Sequence, residues 1–402
     1  MKTEIFRGSL HRAAELIRRG GLVAVPTETV YGLACSGLDE DAVRRIYEVK
    51  GRPAVKPLSL MVSGAEAIDG YCQAVPPAAR LLAEKFWPGP LTIVLKAKSL
   101  IPPIVLSGGD TVGLRCPDHP MTLELLRLTE LPFAAPSANP SGAESPKTAE
   151  AVAAYFDGLI EGIVDGGPCG IGRESTIIDM SRSPYRILRP GALPADTVAD
   201  ALVDGIRLIG ITGGSGCGKT TALKELEALG ALVIDCDSVY HRMLESSREL
   251  LRDIERRFPG SVKNGVLDRK ALGEQVFSHS EALAELNAIT HRQIILELRR
   301  MLRGFAMSGG TLAAIDAIEL IGSGLAEDCD TTIGVLAAPE KRIERIMARD
   351  GVPRDYAEMR IKAQRPDTYF VENCRQVLYN NGSEAEFKDR CRQLFKEILT
   401  DG

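Results

Sequence analysis

The chain has 402 residues, 45% of them apolar and 26% charged, with a net charge of −5. At roughly 100–200 residues per domain that is two or three domains, each with enough chain for its own core. The composition excludes a membrane-spanning helix, since no run of about 18 apolar residues exists, and the charge balance argues against bulk nucleic-acid binding.

Up to residue 205 there are 21 Lys and Arg against 24 Asp and Glu; the rest has 28 against 30. Neither half carries the positive excess of a nucleic-acid binder. The nine cysteines include no C-x-x-C pair. With no apolar signal core behind Met1, they are expected to be reduced thiols of a cytoplasmic protein, without a zinc site.

In chain order, Leu22–Val25 reads as an apolar strand. It runs into Pro26, Thr27, Glu28, Thr29, Val30, Tyr31 and Gly32. Hydroxyls and an aromatic at a strand end exceed what a turn needs. A helical pattern over Asp41–Val49 leads to Lys50-Gly51-Arg52, two cations at a helix exit that suit a phosphate or carboxylate. Trp87 reads as core. Thr111–Arg115 places an arginine at a strand end. Ala135–Gly142 is a loop of small donors that includes Ser137 and Asn139. Ser175 and Arg189 follow on later segments. Together these predict a cleft of hydroxyls, amides and arginines, without a His/Cys nucleophile pair. Such a lining binds anions and stabilises displacement at phosphorus. The Ala/Asp-rich stretch from Gly191 to Gly205 is expected to be a half-structured connector with one or two helical turns.

The second half opens on a strand, Ile206–Ile211, and then Gly213-Gly214-Ser215-Gly216-Cys217-Gly218-Lys219-Thr220. This is a complete G-x-x-x-x-G-K-[ST] phosphate loop with a helix, Thr221–Leu229, behind it. Its glycines let backbone N–H groups approach phosphate oxygens, and the helix N-terminus adds positive potential. Lys219 is placed to reach the β- and γ-phosphates and Thr220 to bind Mg²⁺. Cys217 reads as a small buried spacer, although a helix N-terminus tends to lower a thiol's pKa. A second strand, Leu232–Ile234, ends in Asp235-Cys236-Asp237. A third, Thr311–Ile315, ends in Asp316, the position of a Mg²⁺ ligand. Thr332–Leu336 is a fourth strand. Glu340–Asp350 is a charged helix whose Arg345 and Arg349 suit a mobile lid. Asp237, at a strand end, is the candidate general base; its bland alternative is a helix N-cap.

The first-half segments, with Trp87-Pro88-Gly89-Pro90-Leu91-Thr92, strongly resemble the threonylcarbamoyl-AMP synthase family, Sua5/YciO/YrdC, over residues 5–191. The resemblance implies condensation of L-threonine, bicarbonate and ATP to threonylcarbamoyl-AMP and pyrophosphate, for tRNA modification. It implies that Lys50 and Arg52 hold phosphates or the bicarbonate-derived carboxylate and that Thr29 and Arg115 address threonine. Ser137, Asn139, Ser175 and Arg189 would hold the nucleotide, with Thr27 nearby. Residues 206–398 resemble dephospho-coenzyme A kinase, on the phosphate loop, Leu229–Ser238, Leu267–Leu272, Met347–Gly351, Arg360–Gln364 and Tyr379–Ser383. That resemblance implies transfer of the ATP γ-phosphate to the ribose 3′-hydroxyl of dephospho-CoA. Thr212, Thr221 and Asn381 join the loop as nucleotide contacts, and Arg349 acts at the phosphates. Two departures stand out: Asp316-Ala317-Ile318-Glu319 replaces the family's usual Pro-Leu-Leu-Phe-Glu context, and His291-Arg292 replaces His-Pro.

The expected fold class is α/β. A YrdC-like twisted-sheet domain (1–191) and a linker (192–205) precede a P-loop kinase domain with a parallel sheet and helical lid (206–402). Expected cofactors are ATP and Mg²⁺. Expected partners are the small-molecule substrates and tRNA-modification proteins, with weak or no direct nucleic-acid contact and no membrane. The alternatives are a double-stranded RNA-binding module or a carbamoyltransferase for the first half, and a kinase of another nucleoside or metabolite for the second.

Overall fold

The structure, a computed structural model, describes residues 2–276 and 280–400. It divides into two compact units. One is Met1–Gly205 with Met307–Gly309; the other is Ile206–Ala306 with Gly310–Gly402.

The first unit is built on a mixed sheet of eleven strands. Val23–Val25 pairs antiparallel with Gly32–Ser36. The six residues between these strands hold the Thr27–Tyr31 cluster at the sheet's end. Onward from Gly32–Ser36 the order is Phe133–Ala134, Ser59–Met61, Thr111–Arg115, Leu91–Ala97, Thr176–Asp179 and Arg186–Arg189. Strands far apart in sequence thus lie side by side and bring their end residues to one place.

The helix Glu40–Lys50 forms because Ala42, Val43, Ile46 and Tyr47 make one buried stripe. Asp39 caps it, accepting the N–H groups of Asp41 and Ala42 at 3.0 and 3.1 Å. Such a cap contributes about 1 kcal/mol. Gly51 ends the helix at φ +58°, a conformation that glycine adopts without a Cβ penalty. That turn sends Arg52 off in a new direction from Lys50.

The 192–205 stretch, expected as a connector, contains a helix over Ala195–Val203 that belongs to the first unit. Val198, Ala201 and Leu202 are buried, and it packs against the helix Pro77–Phe86. The i, i+3, i+4 apolar spacing outweighs the Asp-rich composition.

The second unit has a five-stranded, all-parallel sheet. Its order is Leu232–Asp235, Leu312–Asp316, Arg207–Thr212, Thr331–Leu336, Gln376–Tyr379. Its core joins Ile209, Ile211, Ile333 and Val335 from strands to Leu226, Phe387 and Phe395 from helices. Strands covered on both faces read as near-continuous apolar runs, so the sequence located four of these strands within a residue or two, but not Gln376–Tyr379. The chain leaves the central strand Arg207–Thr212 through the phosphate loop. The strand order reverses there, which places a ligand crevice at the strands' C-terminal ends. The helix behind the loop begins at Lys219, two residues earlier than expected. Helices Pro339–Asp350 and Arg354–Lys362 form a pair with their own small core of Ile343, Ile346 and Ala357. The 28-residue helix Ser280–Met307 was not among the expected elements.

Candidate active sites

In the first unit, Arg52, Arg115, Ser137, Ser175 and Arg189 line one cavity of about 180 Å³, as the sequence grouped them. Met61, Thr92 and Glu174 line it too. Arg52 is held on its turn by the carbonyls of Lys56 and Pro57, to which it donates at 3.3 and 3.0 Å. Arg189 donates to the Ser175 carbonyl at 2.8 and 3.1 Å and to Ser175 Oγ at 3.1 Å. Ser175 Oγ and Thr92 Oγ1 lie 2.8 Å apart. Burial lowers the pKa of both arginines from the ordinary value, but guanidinium stays protonated in proteins. Arg52 and Arg189 are therefore fixed cations hydrogen-bonded to neutral groups, which makes the cavity a good place for phosphate or carboxylate.

Thr27, Thr29, Lys50 and Asn139 stand just behind that lining. Thr29 is fully buried; its Oγ1 accepts from Arg115 Nη2 at 2.9 Å and lies 2.8 Å from Thr27 Oγ1. Lys50 is 3% exposed, and its ammonium donates to the carbonyls of Ser137 and Asn139. It thereby clamps the 137–139 loop. Burial, reinforced by the Arg52 charge, brings its pKa down to about 8. Asn139 Nδ2 donates to the carbonyls of Pro140 and Ala143 at 2.9 and 2.8 Å, while its Oδ1 is buried without a hydrogen-bond partner among the described residues. Sequence reasoning missed Glu28. Its carboxylate takes Arg115 Nη2 at 2.7 Å and accepts the Asp118 N–H at 3.0 Å. The pair is nearly buried, so Arg115 enters the site half-neutralised. The position of Glu28 between two singled-out threonines was the available signal.

In the second unit the phosphate loop is wrapped by side chains from later in the chain. Lys219 Nζ donates to the Gly213 carbonyl at 2.9 Å and lies 4.0 Å from Asp316 Oδ1. That carboxylate oxygen is buried with no hydrogen-bond partner among the described residues. Burial, opposed by Lys219 and reinforced by Asp235 and Asp237, raises the Asp316 carboxyl to about 6. Thr212 Oγ1 donates to the Ile318 carbonyl at 3.1 Å, while Thr220 is exposed at the start of the helix and Thr221 half-buried behind it. Gly218 sits at φ +102°, and a Cβ there would lie 2.1 Å from Asn380 Nδ2. Cys217 is fully buried, and burial pushes its thiol pKa up, against the lowering a helix N-terminus would bring. The arginines on the loop are Arg342 and Arg345, not Arg349. Arg345 Nη1 donates to the Gly216 carbonyl at 3.2 Å. Arg349 pairs with Asp350 at 2.7 and 2.9 Å and is largely exposed. Asn381 Oδ1 accepts the Ala338 N–H at 2.7 Å. Its neighbour Asn380 faces the loop, donating to the Cys217 carbonyl at 2.8 Å. No local pattern sets Arg342 or Asn380 apart from their neighbours.

Asp237 does not cap its helix. Asp235 does, accepting the N–H groups of Asp237 and Ser238 at 3.0 and 3.2 Å. Asp237 is exposed and lines a second cavity of about 240 Å³ with Tyr240, Asn287, His291, Ile294, Ala317 and Glu319. Glu319, from one departure from the family pattern, and His291, which precedes the other at Arg292, thus line one pocket beside the candidate base.

The family Sua5/YciO/YrdC, described as "Telomere recombination", matches residues 15–191, and the family CoaE, "Dephospho-CoA kinase", matches residues 207–386. The chain is 50% identical over 186 residues to the threonylcarbamoyl-AMP synthase of Pyrococcus abyssi, covering 46% of this chain and 55% of that protein. It is 34% identical over 198 residues to the threonylcarbamoyl-AMP synthase of Mus musculus, covering 48% and 70%. It is 36% identical over 194 residues to the dephospho-CoA kinase of Geobacter sulfurreducens, covering 47% and 98%. The chain spans about half the length of the synthases that it matches first and nearly all of the kinase.

Proposed function

Because the first half of the chain belongs to the Sua5/YciO/YrdC family and the second half to the dephospho-CoA kinase family, we propose that it is a bifunctional enzyme with two ATP-dependent activities. The first unit condenses L-threonine, bicarbonate and ATP to threonylcarbamoyl-AMP, releasing pyrophosphate. The second transfers the γ-phosphate of ATP to the 3′-hydroxyl of dephospho-CoA. The observation that carries the reading is that the motif arginines Arg52, Arg115 and Arg189, distant in sequence, share one cavity, while a complete phosphate loop opens the other unit.

In the first unit, Arg52 and Arg189 hold the anionic groups of ATP and the carbonate-derived carboxylate. Arg115, steered by Glu28 and Thr29, orients the amino acid. Ser137 and Ser175 supply neutral polar contacts to the nucleotide. Lys50 sets the loop that carries Ser137. These fixed donors act by orientation and by stabilising charge at the displaced phosphorus.

In the second unit, the loop amides and Lys219 bind the phosphates, and Asp237 accepts the proton of the acceptor hydroxyl. Mg²⁺ fits here: Thr220 and Asp316 Oδ1, which has no hydrogen-bond partner among the described residues, are hard oxygen donors, and Mg²⁺ takes one or two protein oxygens alongside waters and phosphates. Bound, it would neutralise charge on the transferring group. The acceptor lies in the pocket of Asp237, His291 and Glu319.

The test is ATP consumption by the full chain in two arms, threonine with bicarbonate and dephospho-CoA alone. Pyrophosphate is expected in the first arm and ADP with coenzyme A in the second. A silent arm removes that half of the reading.

A further inference from the structure

Ser215, in the phosphate loop, has each of its polar groups held by residues far along the chain. Its N–H donates to Gln364 Oε1 at 3.0 Å. Its Oγ accepts from Gln364 Nε2 at 2.8 Å. Its carbonyl accepts from Arg342 Nε at 3.0 Å. Arg342 Nη2 closes the circuit, donating to the same Gln364 Oε1 at 2.7 Å, and Nη1 faces Asp367 at 3.4 Å. Arg342 is 4% exposed, so this is an interior network. A Cβ on Gly214 would lie 2.2 Å from Arg342 Nη2, so that glycine makes room for the guanidinium as well as for phosphate.

The next two carbonyls are also engaged, Gly216 by Arg345 and Cys217 by Asn380. Three successive carbonyls are therefore tied to side chains, and the loop's remaining N–H groups are left for an anion. The Ser215 and Cys217 N–H groups are exceptions, taken by Gln364 and, at 3.4 Å, by the Gly214 carbonyl. Gln364 follows the helix Arg354–Lys362, and Arg342 lies on Pro339–Asp350. Arg342 thus sits on the helix expected to act as a lid, and Gln364 just past the helix paired with it.

We infer that Gln364 is a positioning residue. It fixes Ser215 and, with Arg342, ties the shape of the anion cradle to the helix pair, without itself meeting the nucleotide. The inference rests on the kinase reading above. A cradle held in its binding shape loses less freedom when phosphate arrives. Loss of the Gln364 amide should therefore weaken nucleotide binding while sparing the acceptor pocket.

The experiment uses the full chain with Gln364→Met, which keeps length and removes both hydrogen-bonding groups, and Gln364→Glu, which keeps acceptors for the Ser215 N–H and Arg342. ADP affinity is measured by calorimetry, KM for ATP and for dephospho-CoA by steady-state kinetics, and stability by thermal melting. Gln364→Met is expected to weaken ADP and raise the KM for ATP by about 10-fold, the scale of losing one or two hydrogen bonds. The KM for dephospho-CoA should stay unchanged, and Gln364→Glu should fall between Gln364→Met and the parent. Unchanged ADP affinity in Gln364→Met overturns the inference. So do equal losses toward both substrates with a lowered melting temperature, which would mark a merely structural role, or a Gln364→Glu variant as weak as Gln364→Met. A parent chain that binds no ADP removes the kinase reading itself.

Discussion

The two units meet the same problem, holding an anionic nucleotide, by different routes. The second unit concentrates its donors in eight consecutive residues, Gly213–Thr220, at the end of one strand. The first gathers single residues, Arg52, Arg115, Ser137, Ser175 and Arg189, from strand ends and loops spread between residues 52 and 189. A contiguous loop is presented by the end of one strand and held there by a few side chains around it. A dispersed cleft exists only when the whole sheet is registered. Single substitutions should therefore act locally in the second unit and cooperatively in the first.

The largest effect is expected for Lys219→Ala, the one loop side chain that carries charge to the phosphates. Phosphoryl transfer to dephospho-CoA should fall by about 10²–10³-fold, as for other single electrostatic groups, with threonine-dependent pyrophosphate release unaltered. A parallel fall in both activities would break the comparison, because it would couple the two sites.

Next comes Asp237→Asn, expected to lower the kinase kcat by about 10²-fold, the low end for a positioned base, because positioning and electrostatics dominate this chemistry. ADP affinity by calorimetry should match the parent. Turnover at the parent rate would send the search for the base to Glu319 or His291 in the same pocket.

In the first unit, Arg52→Ala and Lys50→Ala should be told apart by stability rather than by activity. Both should reduce pyrophosphate release. Arg52→Ala removes a cation from the cavity lining at about 1.5–3 kcal/mol of binding and should melt like the parent. Lys50→Ala leaves the Ser137 and Asn139 carbonyls without their donor and should also lower the first unit's melting temperature. Identical melting curves would show that Lys50 acts on ligand alone.

The smallest expected effect is in pH. Lys50 has a folded pKa of about 8, below its ordinary 10.5. Between those values the unfolded chain holds more protons, so the stability contribution of this group rises with pH there. Its ammonium clamp is lost over the same range, so synthase activity should fall as pH rises through about 8. Arg52 is the second cause of the lowering, so Arg52→Lys, which keeps a cation, should leave the midpoint nearly in place, and Arg52→Gln should move it upward. A midpoint indifferent to both would detach the pH profile from Lys50.

Much of this was legible in the sequence. Parallel strands buried on both faces, such as Thr331–Leu336, announce themselves as apolar runs, and the phosphate loop is a pattern in consecutive letters. The cavity arginines were readable because a family resemblance ordered them, not because any local spacing did. Arg342 and Gln364 escaped because their role depends on a helix pair folding back over the loop, and Asn380 because its role depends on the strand Gln376–Tyr379 ending beside it, which no local pattern records. Arg349 and Asn381 drew attention as motif members, yet neighbouring charge and a helix start take up their side chains: Asp350 is adjacent to Arg349, and Ala338 offers Asn381 an N–H. Residues 192–205 looked like a connector because composition was weighed above the spacing of Val198, Ala201 and Leu202.

By itself, then, the sequence determined the chemical inventory: two families, a phosphate loop, a set of cations and hydroxyls, and the elements that carry them. Tertiary structure decided which of those groups face a ligand and which face the protein. Lys50 and Arg52 are two residues apart and both cationic, yet the left-handed turn at Gly51 sends one into a loop's carbonyls and the other to the cavity wall. A side chain's direction and its desolvation are set by what the rest of the chain packs around it, and neither is written in residue type or spacing.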